Sequence, residues 1–432
     1  MAAFDAHRPP EQSVIDDCVH CGFCLETCPT YVLWGAEADS PRGRIVLASD
    51  GLNGDQPMSD EMVTHFDRCL GCMACVSACP SGVQYDRLIE RVRPQVERHH
   101  RRPPAERALR RLLYETLPHP KRLRALAPML AASRRLGLER ALPERLAAVA
   151  KVAPQAPLGR AARAPIPEFT PAVGPPRGRV GLLLGCVQRV FYPSVHRATV
   201  HALAAEGFDV HAPARPDCCG ALEFHGGEEP AGIRRAQATI AAFAATGGAG
   251  GLDHIVVNAA GCGSAMKEYG ELLGTDDARE FSGRVRDVSE LLASVPSRAP
   301  RGPVPLRVAY HDACHLAHAQ GVRSAPRDLL SAIPDLELIE VGVERDVCCG
   351  SAGIYNLVQP DAAAELGARK ARHLLDTGAQ AIAAGNPGCA AQLDMHLRQL
   401  GCPLPIQHPV ELVSRSIAAA ARVTGTGTGT GA

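Results

Sequence analysis

The sequence has no excess of either charge: Lys and Arg total 46, as do Asp and Glu, in 432 residues. A nucleic-acid binder carries a surplus of basic side chains for the phosphate backbone, so the bulk charge argues against that class and no nucleic-acid partner is expected. No stretch of 18 uncharged apolar residues occurs, so no membrane-spanning helix is expected. Residues Met1 to Gln12 lack a basic region followed by an apolar run, so no secretory signal is expected either. No Gly-x-Gly-x-x-Gly follows a strand-like run and opens a helix, which argues against a bound dinucleotide. Apolar residues make up 46% of the chain, enough for sizeable cores, and the length suits roughly three domains. What the chain has in abundance is cysteine, 17 residues. In a chain this long, with cysteines in ligand spacings, they read as metal ligands rather than as a disulfide framework. Thiolate ligands suit a reducing cytoplasm. The expectation is a soluble cytoplasmic metalloprotein.

Two stretches read C-x2-C-x2-C-x3-C-P: Cys18, Cys21, Cys24, Cys28 and Pro29, then Cys69, Cys72, Cys75, Cys79 and Pro80. This is the bacterial ferredoxin spacing for two cubane [4Fe–4S] clusters, in which the fourth cysteine of each motif ligates the cube held mainly by the other. One cluster is therefore assigned to Cys18, Cys21, Cys24 and Cys79, and the other to Cys69, Cys72, Cys75 and Cys28. Pro29 and Pro80 are expected to stop local helix and turn the chain away from each cube. Gly22 and Gly71 have no Cβ, so backbone N–H groups can approach cluster sulfurs. A pair of zinc knuckles also contains C-x2-C, but zinc gains nothing from the C-P endings. Forty residues separate the motifs, more than in a minimal ferredoxin, and an apolar-periodic run from Ile45 points to a helical insertion. Trp34, the sole tryptophan, is expected in the core, with shielding of a cluster as the sharper alternative.

The second half is an internal duplication. Strand-like Val180 to Leu184 precedes Cys186, strand-like Phe208 to Val210 precedes Cys218-Cys219-Gly220, and strand-like His254 to Asn258 precedes Cys262. The order returns as Leu306 to Tyr310 with Cys314, then Cys348-Cys349-Gly350, then Ala381 to Ala383 with Cys389. Even the closing pieces match, Asp287 to Leu291 against His408 to Leu412. Matching cysteines are offset by 128, 130 and 127 residues. Strands alternating with helical patterns predict parallel α/β units, whose strand carboxyl ends gather on one edge where ligands bind. Adjacent cysteines reach one site only where a strand breaks, which Gly220 and Gly350 permit. Two further metal sites are thus expected, one from Cys186, Cys218, Cys219 and Cys262, the other from Cys314, Cys348, Cys349 and Cys389. His311 and His315 flank the second and read as turn residues, with hydrogen bonding or proton shuttling as the alternative. Cys402 falls outside every pattern and reads as a small buried hydrophobe.

Between the halves, residues 98–151 carry 14 Lys and Arg against four Glu in Leu/Ala-rich pieces cut by Pro118, Pro120, Pro128 and Pro143. Short amphipathic helices are expected. A solvated connector, a dock for an acidic partner and an anionic membrane surface all remain open. Residues 153–178 read as a linker and the Thr-Gly tail, 424–432, as disordered. The division read from these features is a ferredoxin-like unit with two [4Fe–4S] clusters at 1–95, a basic helical segment and linker at 96–177, repeats at 178–300 and 301–420, and a tail at 421–432. The fold class is α+β overall, a helical two-cluster unit followed by two tandem α/β cysteine-rich repeats.

Cys18-Val-His-Cys-Gly-Phe-Cys, Cys28-Pro-Thr-Tyr, Pro41-Arg-Gly-Arg-Ile, the second motif ending Cys79-Pro-Ser-Gly-Val and the two Cys-Cys-Gly repeats together resemble the iron–sulfur subunit of glycolate oxidase (glycolate dehydrogenase). The repeats are similar to the cysteine-rich domains of heterodisulfide reductases. The resemblance implies a complex in which separate FAD-binding subunits oxidise glycolate to glyoxylate. This chain would pass the electrons onward, toward the quinone pool, at the inner face of the cell membrane or free in the cytoplasm. In heterodisulfide reductases the last cysteine of each repeat belongs to a C-x-x-C pair that supplies a fifth thiolate. Here those positions are Ala265 and Gln392, leaving open a conventional cluster, another metal or none in each repeat. Corresponding subunits of anaerobic glycerol-3-phosphate or lactate dehydrogenase complexes share the modules. A heterodisulfide-reductase-like catalytic role and a redox-sensing or cluster-carrier role are the other classes. On the leading reading the chain is an oxidoreductase subunit that does not act on glycolate alone.

Overall fold

The structure, a computed structural model, describes residues 3–54, 57–135, 150–154 and 164–425. Pro143, residues 155–163 of the expected linker and the last seven residues of the Thr-Gly tail lie outside the described residues. The N-terminal part is helical, with Gln12–Asp16, Pro29–Trp34, Pro41–Asn53, Asp60–Asp67, Ala74–Ala78 and Tyr85–His99. Pro41–Asn53 and Asp60–Asp67 make up the insertion between the motifs, and each begins on a serine that accepts an N–H of the first turn: Gly43 N–H to Ser40, Met62 N–H to Ser59. In helix Tyr85–His99, Leu88, Ile89, Val92 and Val96 share one buried face and pack on Val14, Ile45, Val63 and Phe66. Pro29 departs from its expected role. It opens helix Pro29–Trp34 instead of stopping one, because at the first helical position its missing N–H has no partner to lose.

Helix Tyr85–His99 runs unbroken past residue 95 into the basic segment, where Pro104–Thr116 and Pro120–Arg135 follow. These helices pack against both repeats. Leu109 and Leu113 meet Ile354 and Leu357, and Leu123 and Ala127 meet Val190 and Phe191. Part of the basic surplus is neutralised inside the fold. Arg102 is 5% exposed and forks onto Asp67 at 2.6 and 2.9 Å, with Glu97 at 2.6 Å and Glu106 at 3.0 Å.

The second half holds two sheets. Strands β1 (Phe169–Thr170), β2 (Gly178–Leu182), β3 (Phe208–His211), β4 (His254–Val257) and β5 (Val285–Asp287) lie in the order β1-β3-β2-β4-β5. Strands β6 (Leu306–His311), β7 (Leu336–Ile339), β8 (Ala381–Ala384) and β9 (Ile406–Gln407) lie in the order β7-β6-β8-β9. Every pair is parallel except β1 with β3. Leaving β1 aside, the two orders are the same, so the duplication read from cysteine spacing is a duplication of topology. The sequence pattern did not single out β1, β5, β7 or β9. β1, β5 and β9 are two or three residues long, and β7 is a four-residue edge strand with no fully buried residue.

The matched closing pieces are helix starts. Asp287 and Glu290 form a capping box, and His408 repeats it with Glu411: His408 N–H donates to Glu411 at 2.8 Å and Val410 N–H to His408 Nδ1 at 3.1 Å. The helices they open cross over. Helix Val288–Ala293 of the first repeat packs on Ser324–Ser331 of the second, and Pro409–Gly425 of the second packs on Pro193–Ala205 of the first. One core therefore spans both repeats, with Val180, Leu203 and Val256 from one and Val308, Leu330 and Leu412 from the other. Replacing the fully buried Leu412 by Ala should cost about 2–5 kcal/mol. Denaturant melts should show a single transition for both repeats moved to lower midpoint. Separate transitions with only the second displaced would contradict the shared core.

Candidate metal centres

The eight N-terminal cysteines line two small pockets. Cys18, Cys21, Cys24 and Cys79 line one; Cys28, Cys69 and Cys72 line the other, and Cys75 reaches both walls. The first lies at the surface, with Cys21 exposed and Cys18, Cys24 and Cys79 half-buried. The four of the second are buried. Burial pushes the Cys24 thiol up to about 11 and those of Cys72 and Cys75 well above the ordinary range. Cys69 goes the other way. Burial raises it too, but the Arg44 and Arg93 cations, the Tyr85 hydroxyl and the Gly71 N–H outweigh burial and hold the thiol low. Tyr85 donates to Cys69 Sγ at 3.6 Å and Gly71 N–H at 3.4 Å, while Cys28 Sγ lies 3.3 Å from the Thr30 hydroxyl.

Gly22 and Gly71 have φ of +89° and +64°, a region that favours glycine. Each also seats an arginine: a Cβ would lie 2.9 Å from Arg42 Nη1 at Gly22 and 2.9 Å from Arg93 Nη1 at Gly71. Arg42 donates to the His20 carbonyl at 2.9 Å. Arg93 donates to the Cys69 carbonyl and, with its other nitrogen, to the His225 carbonyl, both at 2.8 Å. Arg44, 1% exposed, forms part of the inner pocket wall. It is held by Thr30 at 3.1 Å, the His65 carbonyl at 2.7 Å and Asp39 at 3.5 Å.

In the repeats, Cys186 follows β2, the Cys-Cys-Gly pairs lie in the loops leaving β3 and β7, Cys314 follows β6, and Cys262 and Cys389 sit in the first turns of helices Ala260–Lys267 and Pro387–Gln399. The structure strings Cys186, Cys218, Cys219 and Cys262 together by side-chain contacts, and likewise Cys314, Cys348, Cys349 and Cys389. Cys314 and Cys348 sulfurs are 3.8 Å apart. Except for half-buried Cys262, all eight are buried. Gly220 and Gly350 take φ of +87° and +83°, and Gly220 N–H points at Cys218 Sγ at 3.4 Å. Cys218 and Cys314 are held low chiefly by hydrogen bonds from Cys186 and Cys348 respectively; the donors are correspondingly raised. Four close, buried thiols of this kind suit a cation or cluster that compensates their charge.

Both sets open on one cavity of about 290 Å³, whose wall also includes Cys69, Gly71, Arg93, His225 and His315. The strand ends of the two sheets are joined beside it: Ala260 N–H donates to the Gly385 carbonyl at 3.1 Å and Gly261 N–H to Asn386 at 3.3 Å. Cys72 and Cys314 belong to one buried cluster with Leu70, Cys348 and Tyr355. The inner N-terminal set is therefore in contact with the second repeat.

Several residues differ from expectation. His311 and His315 are not turn residues. His311 ends β6 with a ring nitrogen, Cys349 Sγ and Cys389 Sγ all within 4.8 Å of one another, and His315 Nδ1 is 3.6 Å from Cys314 Sγ. Trp34 is 40% exposed under the Arg68 guanidinium, 4.6 Å from its ring centre, so it is not core. Cys402 is exposed. Ala265 is buried in the first repeat's core. Gln392 is committed to Asn356 at 3.0 Å and the Ala363 carbonyl at 2.9 Å. Sequence reasoning also missed a half-buried triad, one member of which, His225, lines the cavity. Glu90, His225 and Glu268 place donor atoms within 4.8 Å of one another, with His225 Nδ1 2.9 Å from Glu90 and its ring 5.2 Å from that of His315. No local spacing joins these three positions, so no sequence signal could have found them.

The 4Fe-4S dicluster domain family matches residues 14–83, the cysteine-rich domain family matches 180–267 and 308–394, and the linker region of the glycolate oxidase iron–sulfur subunit matches 105–153. The chain is 34% identical over 403 residues to the probable glycolate oxidase iron–sulfur subunit of Bacillus subtilis (strain 168), covering 89% of each. It is also 34% identical over 412 residues to the glycolate oxidase iron–sulfur subunit of Escherichia coli (strain K12), covering 94% of this chain and 95% of that one. Lactate utilization protein A of Oceanobacillus iheyensis is 25% identical and matched over 96% of its length, but over only 55% of this chain.

The triad gives a pH-dependent expectation. Burial, with the nearby Asp86 charge, pushes Glu90 up to about 8 from an ordinary 4.5 even though Glu268 donates to it. Between those two values the folded chain keeps a proton that the unfolded chain has lost, so stability falls as pH rises from about 4.5 to about 8. Glu90→Gln keeps the hydrogen bonds without the charge. Its melting temperature should gain on the wild type between pH 6 and pH 8.5. A difference independent of pH would show that Glu90 is ionised throughout.

Proposed function

Because the chain belongs to the glycolate oxidase iron–sulfur subunit family, we propose that it carries electrons from an FAD-binding partner that oxidises glycolate to glyoxylate, through its own iron–sulfur clusters, toward a quinone. Such clusters supply one-electron transfer. In this reading Cys18, Cys21, Cys24 and Cys79 hold an outer cubane, and Cys28, Cys69, Cys72 and Cys75 an inner one. The observation that carries the reading is the continuity of thiol sets from surface to interior. Cys21 is exposed, Cys24 and Cys28 are one short turn apart, and Cys72 is packed with Cys314. Val19 and Phe23, each 68% exposed, flank Cys21 and provide the apolar face on which the flavoprotein docks. Inward flow is favoured by charge, since a buried cation such as Arg44 stabilises the extra electron on the inner set. The repeats then receive the electrons at the second Cys-Cys-Gly set.

No helix among the described residues is long and apolar enough to cross a membrane, and we place the chain in the cytoplasm, meeting the quinone at the inner face of the membrane. The lactate reading is supported only by relatives that match about half of this chain. Disulfide reduction at the repeats is disfavoured because Ala265 and Gln392 offer no fifth thiolate.

Crossed ligation is tested by Cys79→Ser, which should perturb the EPR signal of the cluster shared with Cys18, Cys21 and Cys24. Damage confined to the cluster of Cys69, Cys72 and Cys75 would refute the assignment. Homogeneous, flavin-free chain should not reduce dyes with glycolate, whereas the chain mixed with its flavoprotein subunits should. Phe23→Glu should weaken that reconstitution while leaving both EPR signals in place; unchanged reconstitution would remove the docking face.

A further inference from the structure

We propose that His311 is a nitrogen ligand of a metal centre in the second repeat, completing with Cys314, Cys348, Cys349 and Cys389 a mixed set that the first repeat cannot form. His311 is the last residue of β6, paired with Ala384 of the neighbouring strand, and 2% exposed. Its Nε2 is buried without a hydrogen-bond partner of normal geometry, while the ring lies close enough to Cys349 to help hold that thiol low. A buried imidazole nitrogen left without a partner is unfavourable, and here it stands among thiols rather than among other polar groups. Its donor nitrogen, Cys349 Sγ and Cys389 Sγ lie within 4.8 Å of one another. Donors on one tetrahedral ion at about 2.0–2.3 Å stand about 3.3–3.8 Å apart, so the three need draw together by no more than about 1.5 Å to share an iron.

The first repeat supplies the contrast. The 128-residue offset that matches Cys314 to Cys186 puts Leu183 where His311 stands, and Leu183 lies in an apolar cluster with Phe243 and Ile255. Gln392, at the position of the absent fifth thiolate, cannot substitute, because its amide is already held by Asn356 and Ala363. His311 thus supplies a fifth donor from β6. His315 acts differently. Its Nδ1 faces Cys314 Sγ and its ring lies against His225, so it orients a thiolate. Both repeats bring four thiolates, so the neutral imidazole gives the second centre a fifth donor without adding negative charge.

The inference rests on the proposed reading that iron–sulfur chemistry extends into the second repeat, and the measurements separate the two. Full-length chain is prepared anaerobically with unlabelled or 15N-labelled histidine, assayed for iron, reduced and examined by pulsed EPR. The expected result is iron beyond the content of two cubanes, about eight per chain, with a strongly coupled histidine nitrogen. That coupling should vanish in His311→Leu and persist in His315→Leu. His311→Cys should keep the iron and lose the coupling, and with the labelled wild type it decides the matter if His311→Leu fails to fold. Extra iron without a histidine coupling would overturn the inference while leaving the cluster in place. A coupling that survives removal of His311 would overturn it as well. No iron beyond two cubanes would overturn the cluster reading of this repeat and the inference with it.

Discussion

Sixteen of this protein's thiols are gathered into sets of four, and the self-repulsion of buried thiolates is the constraint on which the remaining structure depends. A thiolate out of water is disfavoured by lost hydration, and each neighbour of like charge disfavours it further. Cys72 and Cys75 show the result, both pushed far up by burial and then by surrounding cysteines. The fold answers in two ways. It leaves each set a pocket where cations can sit, and it brings arginines and N–H groups against particular sulfurs, as Arg44, Arg93 and Gly71 do at Cys69. The loops that carry the ligands are consequently glycine-bearing turns with positive φ. A side chain at Gly22 or Gly71 would displace the arginine that clamps the loop.

Much of this was legible in the sequence because ligand spacing is local. C-x2-C-x2-C-x3-C-P names its cysteines and their partition without reference to the rest of the chain. The repeat register followed from offsets between identical residues, and it survived in the topology down to the capping pairs Asp287/Glu290 and His408/Glu411. What was not legible arises from contacts between distant segments. His311 looked like any residue at a strand end, and only the approach of Cys349 and Cys389 in three dimensions gives it a role. Glu90, His225 and Glu268 come from two helices and a loop of different units. Trp34 and Cys402 failed for a related reason: residue type predicts average burial, while their exposure is set by which neighbours the helices bring. Pro29 was misjudged at the level of one residue, since the same restriction that stops a helix also starts one.

The connecting segment was the most ambiguous stretch, and its ambiguity has a physical origin. A basic amphipathic helix offers an apolar stripe and a charged face, and sequence alone cannot say what covers either. In the fold the stripe is taken up by the two repeats through Leu109, Leu113 and Leu123, and Arg102 is enclosed by three carboxylates. The segment thereby clamps the helical unit to both repeats, which makes it a structural member rather than a tether.

Electron transfer between fixed carriers requires fixed separations, and two features of the chain enforce them together. Arg93 holds the Cys69 carbonyl with one nitrogen and the His225 carbonyl with the other, so the second ligand loop is tied to the first repeat. The repeats in turn exchange their closing helices, which removes the freedom of one sheet to move against the other. The packed pair Cys72 and Cys314 is therefore not a contact between two independent bodies but a point inside one rigid framework. Within it the sheets have kept the same strand order while the residues beside the thiol sets have diverged, Leu183 and Val187 in one repeat standing against His311 and His315 in the other. A duplicated scaffold of this kind keeps two thiol sets at constant distance and leaves single positions beside them free to differ.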